Sequence, residues 1–458
     1  MGSAITVTED ITNNTGITGL IIKSDASGYG SLISESGTPP STVESYISQG
    51  AWHQVACPTD AGNTSDFYDV SNDAWFLKHT ESTDKWTYIT NIDSTISMNQ
   101  GFDYWVTTSK TLEFTGNLTK VDQYPVLAYS GGNSDQGWNL LGNPFTSALN
   151  WGNPNWGDND IGTVYVWDGT VGTSGNYVSH NGDAGTLTDG TIPMGQGFFV
   201  KANSAGSFKI PKAARFHSNQ PFYKSNNNTD PTQYVHLQLN ANGHINTVVV
   251  GFPENGTDSF DYRGDADKLY SSSETPQLFA VENNKELCIN ANAPLTEGES
   301  KTVPLHLVQV IDGEYSLTIS KLDQLEDVFI TLEDVKTNMM QDLRELPVYS
   351  FTASSNDEAE RFLLHFAWSP NGIDDNFEGA TSNIQIYSYG KDIYIRSTYN
   401  AINQNGDVFI YDLMGREIIQ KKVVGTELLK IPVNTTNNYL VVKVVNEGST
   451  KTQKVYIK

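Results

Sequence analysis

The chain repeats itself, and that repeat constrains the fold more tightly than any single motif. Trp52-His53-Gln54-Val55-Ala56-Cys57-Pro58 and Trp138-Asn139-Leu140-Leu141-Gly142-Asn143-Pro144 share a Trp-x5-Pro frame. Each is followed by a polar loop and then by Trp/Tyr strand patterns, around Trp75 to Tyr88 and Val164 to Tyr177. Each copy then reaches a matching turn and strand, Ile96-Ser97-Met98-Asn99-Gln100-Gly101-Phe102 or Ile192-Pro193-Met194-Gly195-Gln196-Gly197-Phe198. The shared order and spacing predict two β-sandwich halves, residues 35–125 and 126–220, packed as a pair. In this reading Gln-Gly-Phe places a glycine where the backbone turns sharply, and the aromatic residue opens a buried strand. Gly137 to Pro144 reads as a strand closed by a Gly-Asn-Pro turn.

Length and charge narrow the classes. At about 150 residues per domain, 458 residues predict roughly three domains, so the two cysteines are not a disulfide framework holding up a small fold. Cys57 and Cys288 fall in different modules and read as free buried thiols. The net charge of 28 − 53 = −25 excludes a nucleic-acid binder, which must meet phosphates with clustered Lys and Arg, and argues against docking on an anionic membrane face. No run approaches the roughly 20 apolar residues of a membrane-spanning helix.

Eight of the nine tryptophans lie between Trp52 and Trp167, which marks the duplicated region as a compositional unit. Tryptophans at repeated positions read as core. Trp151 and Trp156, in the loop Asn150 to Trp156, are the candidates for stacking on a sugar ring from an exposed position. Asp158-Asn159-Asp160-Ile161-Gly162 begins like a calcium loop, with Asp158 and Asp160 as the candidate ligands. It lacks the downstream bidentate Glu of an EF-hand, and a solvated acidic turn is the alternative.

Around this region the chain remains strand-like. Met1-Gly2-Ser3-Ala4 reads as an expression scar, which predicts a piece excised from a longer protein, and no signal peptide precedes Ile5. Residues 1–34 read as a β-strand cap or the remnant of an upstream β-rich region. A polar linker at 221–232 leads into a third sandwich over 233–370, with strands at Tyr234 to Asn240, Asn246 to Phe252, Tyr315 to Ile319 and Arg361 to Phe366. Its most charged loop offers Asp261, Asp265 and Asp267 to a metal, or else Arg263 and Lys268 offset those carboxylates. A second linker spans 371–380. The fold class is therefore all-β, several antiparallel β-sandwich modules of jelly-roll or Ig-like type in series.

Beyond that linker the charge changes sign. Residues 381–458 hold ten Lys/Arg and six Asp/Glu, a net of +4, which leaves −29 on the remainder. The strands Ile384 to Tyr389, Gly406 to Asp412, Tyr439 to Val444 and Lys454 to Lys458 alternate in the manner of a small antiparallel sandwich, with Leu413-Met414-Gly415-Arg416 at a hairpin turn. The "YDLMGRE" hairpin, the "YLVVKV" strand and the terminal "KVYIK" closely resemble the type A C-terminal sorting domain of type IX secretion cargo. The matching positions are Gly406, Tyr411, Asp412, Gly415, Arg416, Tyr439, Lys443, Lys454 and Lys458, whereas Asn438 stands where a Gly is usual. "GWNLLGNP" and "QGFFV" in the second half likewise resemble a module of secreted proteins in the same bacterial group. Residues 233–370 resemble the spacer sandwich that precedes the sorting domain. The resemblance implies recognition by an outer-membrane translocon and its shuttle, transit through the periplasm, cleavage, and attachment of the cargo to surface lipopolysaccharide.

The sequence contains no zinc-protease helix motif, nucleophile elbow, Walker loop or Cys-x-x-Cys pair. His236, His306 and His365 sit in strand patterns, where a core or sheet-face role is expected. Two readings follow. One is a non-catalytic secreted or surface-anchored protein with adhesion or presentation modules. The other is the glycan-binding accessory region of a secreted hydrolase whose catalytic domain lies upstream.

Overall fold

Alternation decides which side of each strand is buried. In Gly101–Val106, Phe102, Tyr104 and Val106 enter the core, while Asp103 and Trp105 take the opposite face. Phe67 stacks on Phe76 at 4.3 Å, and Phe114 and Tyr104 close around them. The chain, seen in a computed structural model, is described at all residues but 1–2, 69–73, 132–135, 158–160, 219–232, 297–298, 323, 326–327, 369–383, 390, 398–405, 424–427, 436–437, 447–448 and 458. The linkers expected at 221–232 and 371–380 lie outside the described residues. The fold is all-β, built of several discrete, mainly antiparallel sheets. Two units are distinguishable: Met1–Ala293 with Leu307–Gln324 and Ser350–Ala359, and Pro294–His306 with Leu325–Tyr349 and Glu360–Lys458.

In the first unit the repeat becomes two matched sheets. The strands β1 (Trp52–Ala56), β2 (Ala74–Thr80), β3 (Lys85–Tyr88) and β4 (Gly101–Val106) pair in the order β1-β4-β2-β3. Then β5 (Trp138–Gly142), β6 (Val164–Asp168), β7 (Asn176–His180) and β8 (Gly197–Lys201) pair in the equivalent order β5-β8-β6-β7. The sheets clasp each other reciprocally. The N–H of Ala56 donates to the carbonyl of Gly195 at 2.8 Å, and its counterpart Gly142 donates to Asn99 at 2.9 Å. Val55 bridges to Gln196 just as Leu141 bridges to Gln100. The pair is thus related by a pseudo-two-fold.

This geometry corrects the expectation for the Gln-Gly-Phe glycines. Phe102 and Phe198 do open buried strands. Gly101 and Gly197, however, are needed for close approach rather than for a sharp turn. A Cβ on Gly101 would meet the Leu141 carbonyl oxygen at 2.4 Å, and one on Gly197 would meet the Gln54 backbone at 3.1 Å. Gly101→Ala is therefore expected to cost about 1–3 kcal/mol, because a methyl must be forced against backbone that cannot rotate away. Gly206→Ala, where a Cβ meets nothing within 4 Å, serves as the neutral control in the same denaturant titration.

The rest of the first unit extends from this pair. Ala4–Asp10, largely exposed, runs parallel to Ser31–Ser36. Tyr234–Ala241 pairs antiparallel with His244–Gly251 and with Gly313–Leu322. Trp138, Tyr165 and Phe199 of the second half share one core with Tyr234, Val249 and Ile289.

In the second unit, β9 (Val328–Asp334) pairs with β10 (Glu360–Trp368). The C-terminal strands are β11 (Ile384–Tyr389), β12 (Asp392–Ser397), β13 (Gly406–Asp412), β14 (Glu417–Val423), β15 (Leu428–Pro432), β16 (Asn438–Asn446) and β17 (Ser449–Ile457). They form two sheets, β11-β12-β15 and β14-β13-β16-β17. Ile393, Ile395, Val408, Ile410, Leu440 and Val442 lie at the centre of their core. Between β9 and the C-terminal strands sits a charged cluster. Glu333 accepts hydrogen bonds from His365 Nε2 at 2.9 Å, Lys430 Nζ at 2.8 Å and the Tyr394 hydroxyl at 3.4 Å. Beside it, buried Asp334 takes both Nε and a terminal guanidinium nitrogen of Arg361, at 3.1 and 2.8 Å.

Candidate functional site

The outward parity of Trp105 sets up the most distinctive surface of the first unit. In the register of the sheet, Trp105 on β4 pairs with Trp52 on β1 and with Trp75 on β2. Cross-strand partners share a face, so three indoles stand in a row on neighbouring strands spaced about 4.8 Å apart. Trp75 is 40% exposed, and its ring meets that of Trp105 at 4.5 Å with a 77° tilt. In the next row along the same face, Asp103 pairs with Gln54 and Leu77. Burial pushes the Asp103 carboxyl up to about 8, against the weaker opposing effect of a backbone hydrogen bond.

Beside Trp52, where β1 forms the edge of the sheet, lies a cavity of about 470 Å³. Tyr46, Trp52, His53, Gln54, Trp167 and Asp168 contribute to its wall. Gln54 is fixed from both ends: its Nε2 donates to the Tyr177 hydroxyl at 3.1 Å and its Oε1 accepts the Trp167 backbone N–H. Asp168 Oδ1 accepts from the Thr170 N–H and hydroxyl at 2.8 and 2.7 Å, while burial raises its carboxyl above the usual range. The indole N–H of Trp167 is buried and meets no acceptor among the described residues. A Cβ on Gly169 would lie 3.3 Å from the Trp52 carbonyl oxygen, 3.4 Å from the Ala51 Cβ and 3.6 Å from that nitrogen, so the Gly169 backbone packs closely over it. The arrangement offers stacking faces rimmed by hydrogen-bonding groups. It does not join a nucleophile to a base.

The candidates read from sequence fall elsewhere. Trp151 is not an open stacking face: it is 5% exposed, lies in the core of the second half, and donates its indole N–H to the Gly162 carbonyl. Trp156 stacks on Phe208 and donates to the Asn150 carbonyl. The loop folds inward because these rings complete a core that Phe198, Phe208 and Ile210 begin. Asp158 and Asp160 lie outside the described residues, as does Lys458.

Asp261, Asp265 and Asp267 do not converge on one point. Asp265 accepts from the Asp261 and Ala291 backbone N–H groups, and Asp267 pairs with Lys201 at 3.1 Å. Among the described residues, no group of three or more His, Cys, Asp or Glu is placed to hold a metal ion. Both cysteines are free, and burial pushes the Cys57 thiol up to about 11.

In the C-terminal unit, β13 and β14 form the expected hairpin. Asp412 clamps its turn: Oδ1 accepts the Met414 and Arg416 N–H groups, and Oδ2 accepts Arg416 Nε at 3.0 Å. These bonds, that of the Arg416 N–H first, hold the Asp412 carboxyl below its usual range. Gly415 adopts a left-handed φ of 80°, which lets the turn close. Met414 at the tip is 91% exposed. Gly406 starts β13 from a buried position, and the Tyr411 ring lies parallel to that of Phe409 at 6.3 Å. On the neighbouring strands Lys443 is half-buried, and Lys454 Nζ stands 4.1 Å over the exposed Tyr439 ring.

The fold and these surfaces define a multi-sheet β protein with an aromatic face and an exposed C-terminal hairpin. Residues 46–366 match the family described as "Domain of unknown function (DUF8693)", and residues 373–457 match "Domain of unknown function (DUF8694)". The first match spans well over half of the sequence, and the chain belongs to the DUF8693 family. No curated protein matches it. Among solved structures it is similar to Tp47, the 47-kilodalton lipoprotein of Treponema pallidum, at 9% identity over 89% of this chain and 99% of that one, with a TM-score of 0.15. It is also similar to dimeric latent PorU from Porphyromonas gingivalis, at 12% identity over 76% of this chain and 35% of that one, with a TM-score of 0.16. A third similarity is to a Ca2+-stabilized adhesin with which an Antarctic bacterium binds ice, at 11% identity over 85% and 90%, with a TM-score of 0.13. Scores this low carry no argument about this chain.

Proposed function

We propose that this chain is a non-catalytic protein exported through the periplasm and either released or attached at the outer cell surface, with residues 381–458 serving as a type IX sorting domain. The observation that carries this reading is the C-terminal hairpin. Its turn is closed by hydrogen bonds from solvent-exposed Arg416 to Asp412, and it presents Leu413 and Met414 to solvent, a shape suited to being read by another protein. The sign change supports the reading too, because a +4 module on a −29 body is electrostatically distinct from its cargo. The partners in this reading are the outer-membrane translocon, its shuttle and surface lipopolysaccharide.

The test is localisation in a bacterium with type IX machinery. The intact chain is expected at the surface, and a chain ending at residue 380 in the periplasm. Truncation also removes Lys430 and Tyr394 from Glu333, so the full-length Asp412→Ala/Arg416→Ala variant is measured beside it. That variant is expected to keep its melting temperature while surface display falls. Surface display that survives truncation overturns the sorting role.

A further inference from the structure

We propose that the Trp52–Trp105–Trp75 row and the cavity beside Trp52 bind a linear, uncharged, β-linked glycan whose pyranose rings lie against the indoles. This is independent of the export reading and concerns residues other than Trp151 and Trp156.

Four observations select that ligand. An indole face is a flat apolar surface, and a β-linked sugar with equatorial hydroxyls offers a flat C–H face to match it. Neighbouring strands repeat at about 4.8 Å, close to the length of one sugar residue, so successive indoles can meet successive rings. Trp75 and Trp105 meet edge to face, 77° apart, so they form no single flat platform, which suits one chain that can follow their differing orientations rather than a flat crystalline surface. At the Trp52 end, the polar groups are of the kind that bind hydroxyls. Gln54 and Asp168 stand in the cavity wall and are held in fixed orientations.

Charge excludes the other large class of polysaccharides. Asp25 and Asp168 line the cavity, and among the described residues no Lys or Arg does. Uronic-acid and sulfated chains would therefore bring anions to an acidic wall on an acidic body, without a cation to receive them.

The test uses the purified full-length chain, with cellohexaose, xylohexaose, laminarihexaose and chitohexaose as probes and an oligogalacturonate as the anionic comparison. Binding is followed by calorimetry and by the shift of tryptophan emission. At least one neutral hexaose is expected to bind, and Trp75→Ala and Trp105→Ala are each expected to weaken it about tenfold or more. Trp75 is already substantially exposed, so its removal is expected to leave the melting temperature unchanged, which separates lost binding from lost folding. Absence of binding to all four neutral probes overturns the proposal. So does binding that neither substitution weakens, or a preference for the oligogalacturonate.

Discussion

Replacing Arg361 with methionine is expected to lower the unfolding free energy by about 3–5 kcal/mol, the largest effect of any single substitution considered. Its partner Asp334 is 0% exposed and takes a bidentate pair of bonds from the guanidinium. The Tyr349 hydroxyl at 2.9 Å and the Lys336 N–H fill the remaining acceptor positions. Burial acts to raise the Asp334 carboxyl, but Arg361 and Tyr349 outweigh it and hold it below its usual range. Methionine keeps the length of the side chain and removes the charge, which strands a carboxylate in the interior. The cost therefore comes from the unpaired acid rather than from lost packing. Removing both partners, as Arg361→Met/Asp334→Leu, is expected to recover most of the loss. Denaturant titration of the two variants decides the matter, and a double variant as unstable as the single one would show that shape rather than charge dominates.

Acidification is expected to destabilise the two units over different ranges. In the first unit, His180 is buried and its Nδ1 accepts the Gly182 N–H, so the ring is held neutral. Burial first, and Lys321 second, depress it to about 4, and the same causes with His180 added depress His236 to about 3. A histidine depressed in the folded chain takes up its proton in the unfolded one first. Stability is therefore lost as pH falls from the free value of 6.5 towards about 4. At about 1.4 kcal/mol per pH unit, His180 alone accounts for roughly 3 kcal/mol. In the second unit, burial works to raise Glu333, but His365 and Lys430 overcome it and hold the carboxyl at about 2. Its contribution is complete above the free value of 4.5 and is lost as pH falls towards 2.

Eight of the nine tryptophans belong to the first unit, so emission reports the histidine range while circular dichroism reports both. His180→Gln/His236→Gln is expected to flatten the emission-detected loss between pH 6.5 and 4, and an unchanged slope would remove the histidines as its cause.

Local pattern carried a good part of this molecule. Alternation in Gly101–Val106 is enough to bury Phe102 and Tyr104, and Asp412 with Gly415 is enough to make the hairpin. The same alternation puts Trp105 out of phase with Phe102 and Tyr104, and Trp75 out of phase with Phe76. Strand parity thus turns those tryptophans away from the core, although repetition favours placing them in it. Trp151 is harder, because its burial depends on Phe208, which reaches it from the far end of the second half. Glu333 and Lys430 are 97 residues apart, and nothing near either residue announces the other. Long-range polar partners are set by topology, which composition and period do not encode.

The reciprocal clasp between the two sheets has a consequence for how this region varies. Each Gln-Gly-Phe glycine is required by the backbone of the opposite half rather than by its own. The arrangement has the form of an isologous dimer interface carried within one polypeptide, each half supplying the surface that the other lacks. Fusion frees the two copies to diverge wherever they do not touch. The Trp52 half keeps an indole row at one end of a face whose other end packs on Tyr177 and Phe199, while the Trp138 half buries the corresponding face against the strands that follow it. Duplication thus gave the molecule a partner for its own edge and left the indole end of one face uncovered.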